Sequence, residues 1–194
     1  MANVSAIHSV GDSITTYLRN SYPEPLRTDH PCVFSLISSG EFVEPDAQST
    51  SLSLFLYRIT MDEHLRNGPR RNGTSGQVLP LALDLHYLLT VWADSALVEH
   101  TVIAWAMRQL YLHPVLDRSS LTPEGGWDTG DTIQLIPAEI SAEDIMRIWD
   151  ALSPPYRLSV SYIARVVRID PDTTPDARPV VATRFAWTDR KADE

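Results

Sequence analysis

Six histidines, at positions 8, 30, 64, 86, 100 and 113, are the side chains in this chain best suited to bind a metal or move a proton near neutral pH. Two imidazoles become joint metal ligands on one helix face when they lie four residues apart. No two of these histidines have that spacing. His86 stands two residues from Asp84, and a period of two places both on one face of a strand. A carboxylate beside an imidazole can orient a general base. The same pair also reads as a polar patch on the outer face of a strand. A base needs a nucleophile or a substrate pocket, and no further residues supply one.

Other spacings mimic known sites and lack a part. Gly68 and Gly73, followed by Thr74 and Ser75, have the glycine spacing of a phosphate loop. The lysine that neutralises phosphate charge is missing, and no helix start follows. Asp170, Asp172 and Asp176 alternate like a calcium loop, but its central glycine is absent and its twelfth position is Val181, not glutamate. Asn3-Val4-Ser5 and Asn72-Gly73-Thr74 match the glycosylation pattern, which matters only in a secreted chain. Cys32 is the one cysteine, so no internal disulfide forms, and it lies in an apolar run where thiols are inert. No cofactor, metal or catalytic set is therefore expected, and the chain reads as a non-enzyme.

Charge narrows the partners. Sixteen basic against 25 acidic residues give a net charge of −9, which disfavours non-specific nucleic-acid binding. The dense basic cluster is Arg66, Arg70 and Arg71, in a glycine-rich loop suited to solvent or an acidic partner. Residues 1–13 lack a basic region followed by an apolar run, so no secretory leader is expected. No apolar stretch approaches the ~18 residues of a membrane span. The expectation is cytosolic synthesis and assembly, with release as part of a larger particle as the route outside.

These residues need elements to position them. Val4, Ile7, Ile14 and Leu18 give residues 3–20 helical periodicity, ended by Tyr22-Pro23-Glu24-Pro25. Short strands are expected at Cys32–Ile37 and 51–59, the second apolar on both faces and so covered on both sides. A polar loop fills 62–79. Leu81–Trp92 is the clearest strand: Leu81, Leu83, Leu85, Tyr87, Leu89 and Val91 share a face, leaving Asp84 and His86 on the other. Its span of about 40 Å predicts a strand that bends or projects. A helix over 95–113, a turn-rich stretch over 117–131 and a strand over Thr132–Pro137 follow. Ser141 and Asp144 form a variant capping box for the next helix, which Pro154-Pro155 stops. In the strand over 157–170, Leu158, Val160, Tyr162, Ala164 and Val166 share a face. A last strand falls at 180–187, before a charged tail. The order predicts an α/β (α+β) fold: one domain with a mixed β-sheet packed by helices. The main domain is expected over 1–179, with 180–194 a C-terminal strand and tail serving contacts between subunits.

Certain residues carry a family resemblance. Pro80-Leu81-Ala82-Leu83-Asp84-Leu85-His86-Tyr87-Leu88-Leu89-Thr90-Val91-Trp92 resembles the central strand of the cap, or tail-terminator, family of phage-tail-like contractile injection systems of the antifeeding-prophage and virulence-cassette type. Ser53-Leu54-Phe55-Leu56-Tyr57-Arg58-Ile59, with Leu65-Arg66-Asn67, looks like its upstream strand and arginine–asparagine loop. Trp149-Asp150-Ala151-Leu152 with Pro155-Tyr156-Arg157-Leu158-Ser159-Val160-Ser161-Tyr162 looks like its second signature. The departure is Ala104-Trp105, where that family usually has a Leu-Gly step.

The resemblance implies a phage tail-terminator-like fold and a structural job: a six-membered ring that ends the inner tube and sheath and halts their polymerisation. Its partners would be further copies of this chain and the terminal sheath and inner-tube subunits. The residues expected at interfaces are Arg66, Arg70, Arg71, Asp84, His86, Trp127, Val180, Val181, Phe185 and Trp187. The alternatives are a monomeric adaptor or chaperone for injection-system parts, and a small enzyme using Asp84 and His86.

Overall fold

The computed structural model describes residues 2–42, 49–62, 80–152 and 154–170. The chain runs α1 (Ala6–Ser21), α2 (Glu24–Asp29), β1 (Cys32–Ile37), β2 (Thr50–Met61), β3 (Leu81–Trp92), α3 (Ala96–Leu112), β4 (Val115–Asp117), β5 (Thr132–Pro137), α4 (Ala142–Asp150) and β6 (Ser159–Ile169). The six strands form one mixed sheet in the order β1-β2-β3-β6-β5-β4. β1 runs parallel to β2, and the other pairings are antiparallel. The expected α/β class and mixed sheet are what the chain adopts.

β3 sits at the centre because both its faces bury apolar side chains. Leu83, Leu85, Tyr87, Leu89 and Val91 enter the main core beneath α1 and α3. There Val10, Ile14 and Leu18 of α1 meet Val102, Trp105 and Ala106 of α3. α1 lies close on the sheet at Gly11, where a Cβ would come within 2.7 Å of Leu36 Cδ1. The opposite face is only partly the polar surface that alternation predicts. Leu88 and Trp92 are buried with Phe42, Ile145 and Trp149 in a second core beneath α4. Edge-to-face ring pairs at about 5–6 Å lock this cluster together.

Local chemistry sets the helix ends. Ser95 Oγ accepts from Val98 N–H at 3.4 Å to start α3. Ser141 Oγ accepts from Asp144 N–H at 3.0 Å to start α4, as the capping pattern predicts. α2 was not expected. Pro23 precedes it and Pro25 occupies its first turn, where a missing N–H costs no helical bond. The proline pair that ends α1 therefore starts a second helix.

Two bulges break the ladders around β3. The β2 register shifts between Leu56 and Arg58, so Tyr57 is the extra residue. The β6 register shifts opposite Asp84: Leu83 pairs with Val167 and Leu85 with Ala164, leaving Arg165 and Val166 against one residue. The bulge corrects the face expected for β6. Tyr162 and Ala164 point into the main core, but beyond the bulge Val167 is buried in place of Val166. Such bulges bend strands and raise their twist, which accommodates a strand as long as β3.

Candidate functional site

The structure separates Asp84 from His86. Asp84 Oδ1 accepts a hydrogen bond from Val166 N–H at 3.1 Å, and its Oδ2 lies 3.7 Å from Arg165 Nε. It thus holds the β6 bulge. Val166 has φ +62°, a left-handed conformation that β-branched residues avoid. His86 turns the other way across β2. Its Nε2 shares a 2.9 Å hydrogen bond with Thr60 Oγ1, and its ring stands edge-on to Tyr57. Burial and the neighbouring Arg58 cation hold the imidazole below its ordinary pKa, against a smaller opposing pull from Asp84. Among the described residues no hydrogen bond joins the pair, so Asp84 does not orient His86 as a base would require.

His86 opens into a groove of about 580 Å³ between the sheet and α4, with Tyr57, Ile163, Ile140, Ile148 and Arg147 among its walls. The groove is mixed in character. Asp144 there is engaged by Ser141, and Arg147 by Glu143. Among the described residues that line it the one hydroxyl of serine type is Ser141, whose Oγ caps α4 through Asp144. Among the described residues no group of three or more His, Cys, Asp and Glu side chains could hold a metal ion. Burial pushes the Cys32 thiol up to about 12, which keeps it protonated and unreactive at neutral pH.

Trp127 was expected at an interface and is instead part of the main core. Its ring is 7% exposed and its Nε1–H donates to Ser9 Oγ at 2.9 Å. The Gly125-Gly126 step explains the placement. A Cβ at Gly125 would collide with the indole, and Gly126 takes the left-handed φ of +69° that turns the chain. Arg66, Arg70, Arg71, Val180, Val181, Phe185 and Trp187 lie outside the described residues, as does the boundary at 179/180.

The surface that spacing alone did not single out is the outer face of α3. Leu97 and Tyr111 are 73% and 77% exposed, and Met107 is also exposed between them. Leu97, Ala104 and Tyr111 are seven residues apart, a spacing that keeps them on one line of the helix within about 20° per step. The inner face is fully used by Val102, Trp105, Ala106 and Leu110. Trp105 packs edge-on against Tyr22 and Phe34, so the Ala104-Trp105 step places one residue outside and the other in the core. His100 and Arg108 stand on the same outer face, so the exposed surface is a mixed one in which large apolar side chains alternate with basic ones. Helical spacing alone does not show which part of α3 the described residues leave uncovered.

Residues 9–183 match the family model described as the Pvc16 N-terminal domain. Two solved structures share the fold. One is the PVC sheath/tube terminator of an extracellular contractile injection system in its extended state, with a TM-score of 0.59 and 21% identity over 97% of this chain and 65% of that chain. The other is the tube-terminating cap of the anti-feeding prophage, with a TM-score of 0.55 and 20% identity over 92% of this chain and 60% of that chain. This chain thus spans 65% of the first and 60% of the second, less than two thirds of either. No curated protein matches its sequence. Among the described residues no helix is long and apolar enough to cross a membrane.

Proposed function

The chain belongs to the Pvc16 N-terminal domain family, and from that premise we propose that it is a structural cap of a contractile injection system. Copies of it form a ring, six-membered by the resemblance, that seats on the last inner-tube and sheath subunits and halts their polymerisation. The particle it closes is assembled in the cytosol and released from the cell. The activity is binding, not turnover.

The observation that carries this reading is a set of exposed apolar side chains, Leu97, Met107 and Tyr111, which among the described residues have nothing over them, on a fold similar to a sheath/tube terminator. A closed ring needs heterologous contacts, in which two different patches of each subunit meet. The outer face of α3 offers one patch. α4, on the opposite face of the sheet, offers another around the exposed Met146. Alternation of the two around an axis closes a ring without any subunit using the same surface twice. A stable contact of this kind buries more than about 1,000 Å². The arginines at 66, 70 and 71 serve as the orienting contact to an acidic surface on tube or sheath, since rim charges set register and on-rate more than affinity.

Native mass spectrometry of the purified chain and electron microscopy of particle ends test the proposal. The expected results are a six-fold species, and tubes and sheaths of uncontrolled length when the gene is deleted. Capped particles of normal length in the deletion would overturn it. A strict monomer that leaves particle length unchanged would favour the adaptor reading instead. Reversing the charge at Arg70 and Arg71 should slow assembly at low salt and matter less at high salt; equal assembly at both would remove that contact.

A further inference from the structure

Among the described residues the sheet has a strand position with no strand in it. β1 pairs with only the first six residues of β2, from Cys32 opposite Thr50 to Ile37 opposite Phe55. β2 continues through residues 56–61 with β3 on one side and, among the described residues, no strand on the other. The chain leaves the slot at Ser38, whose N–H and Oγ both bond the Glu41 carboxylate at 2.7 and 2.8 Å. That capped turn over Ser39–Glu41 ends β1, and among the described residues no strand continues in line with it.

The edge borders a trough of mixed character. A cavity of about 710 Å³ lies beside it, with apolar Val4, Ile7, Leu36 and Leu56 and polar His8 and Glu41 among its walls. Past the bulge, Ile59 and Met61 are paired with Leu85 and Leu83, so they share the face of the main core. Both are nevertheless exposed, as is Leu81 beside them. Arg58 is the sole charged side chain on β2 over 56–61, and no lysine or proline guards the edge. Unguarded apolar edges are templates for strand addition.

We propose that this edge receives residues 180–187 of a neighbouring copy of the chain as an added strand. The inference rests on the ring reading above. The segment Val180-Val181-Ala182-Thr183-Arg184-Phe185-Ala186-Trp187 has the alternation of a strand: Val181, Thr183, Phe185 and Trp187 on one side, smaller residues and Arg184 on the other. It is eight residues long against the six open positions of β2. β6 ends at Ile169, and residues 170–179 lie between it and the segment. Prolines at 171, 175 and 179 have no N–H to give a ladder, so the proposed pairing is with the segment after Pro179. An extended connection of this length spans about 30 Å at ~3.1 Å per residue, the reach the proposal needs to bring the segment to the next subunit in a ring. Main-chain bonds supply the affinity, and the trough takes the larger side chains.

Cysteine trapping tests it. In a Cys32→Ser background, a tagged chain carrying Ile59→Cys is mixed with untagged chains carrying Val181→Cys, Ala182→Cys, Thr183→Cys, Arg184→Cys or Phe185→Cys, and oxidised. A covalent heterodimer is expected at the odd positions and at least about fivefold less at the even ones, because opposite faces of a strand cannot both meet the disulfide geometry. Native mass spectrometry is run on the same mixtures. A ring with no heterodimer at any position overturns the strand site and leaves the ring intact. A link that forms only within a chain carrying both cysteines places the segment on its own sheet and overturns the second copy as the occupant. Loss of both ring and link removes the ring reading as well. Deleting residues 180–194 should abolish the ring; a ring that persists also overturns the proposal.

Discussion

The two halves of the central sheet differ in what covers them. The half on the near side of the bulges is closed between two layers of helix: Leu52, Leu54, Leu89 and Val91 under α1 and α3, Leu88 and Trp92 under α4. The half beyond them has Leu83, Leu85 and Val167 buried on one face, while Ile59, Met61 and Leu81 on that same face are exposed and Arg165 and His86 are half-exposed on the other. The near half carries the folding energy, because stabilisation scales with apolar area removed from water. The far half spends similar residues on surface. Exposed apolar residues grouped in this way are the surface on which the strand addition proposed above would act.

The largest effect should come from the closed half. Trp92 stacks near Trp149 and Phe42, donates from Nε1 to Ser53 Oγ at 2.9 Å, and carries Arg157 over its ring at 5.7 Å. Trp92→Ala should cost about 3–5 kcal/mol in urea unfolding, the range for large aromatic truncations. Met61→Ala, beyond the bulges, should cost less than about 0.5 kcal/mol, as exposed substitutions do. Equal costs at the two positions would erase the distinction.

The bulge that divides the halves comes next. Asp84 is mostly buried and accepts the Val166 N–H. Asp84→Ala should cost about 1–3 kcal/mol, because it leaves that donor without its acceptor, and Asp84→Asn should cost less because its amide Oδ1 still accepts from the Val166 N–H. Val166→Gly should offset part of the loss or stabilise the wild type by about 1 kcal/mol, since glycine adopts φ +62° without the clash valine suffers. If Asp84→Ala unfolds no more easily than wild type, the carboxylate does not hold the bulge.

How far the sequence foretold this division follows from its physics. Alternation placed Cys32–Ile37, Leu81–Trp92 and Thr132–Pro137 at the residues where they form. It also named the buried face of β3 correctly from Leu83 to Val91. Alternation is blind to bulges, so it assigned Val166 to the core where Val167 sits, and it read β2 as covered throughout. What covers a strand depends on where its neighbour stops, and β1 stops at Ile37 because Ser38 and Glu41 cap a turn there. Trp127 was misplaced for a similar reason. Its burial depends on Ser9, 118 residues away, which no local pattern contains. Asp84 and His86 were correctly found on one face and wrongly considered as a unit. Which way a side chain leans is decided by cross-strand partners, Val166 for one and Thr60 for the other.

The exposed face of α3 separates folding from assembly. Leu97→Glu and Tyr111→Glu should each change unfolding free energy by less than about 0.5 kcal/mol. Either should nevertheless dissociate the ring, because a buried unpaired carboxylate is costly at an interface centre. Native mass spectrometry alongside urea unfolding reads both. A ring that tolerates both charges would assign the contact to another surface.

The smallest effect is a proton at His86. Burial and Arg58 lower its pKa in the folded chain below the ordinary 6.5 that the unfolded chain retains. The unfolded state therefore binds more protons in the interval between the two values. The contribution of the neutral imidazole is fully present above pH 6.5 and is shed as pH falls through the lower folded-state value. His86→Gln keeps a hydrogen-bonding partner for Thr60 and removes the titration. Melting temperature measured from pH 7.5 downward should fall less steeply in this variant than in wild type. Because the imidazole is partly open to solvent, the difference should be the weakest of those expected here. Superimposable pH profiles would mean that the groove does not resist the charge. A steeper decline in the variant would reverse the sign and make the imidazolium the favoured form in the fold.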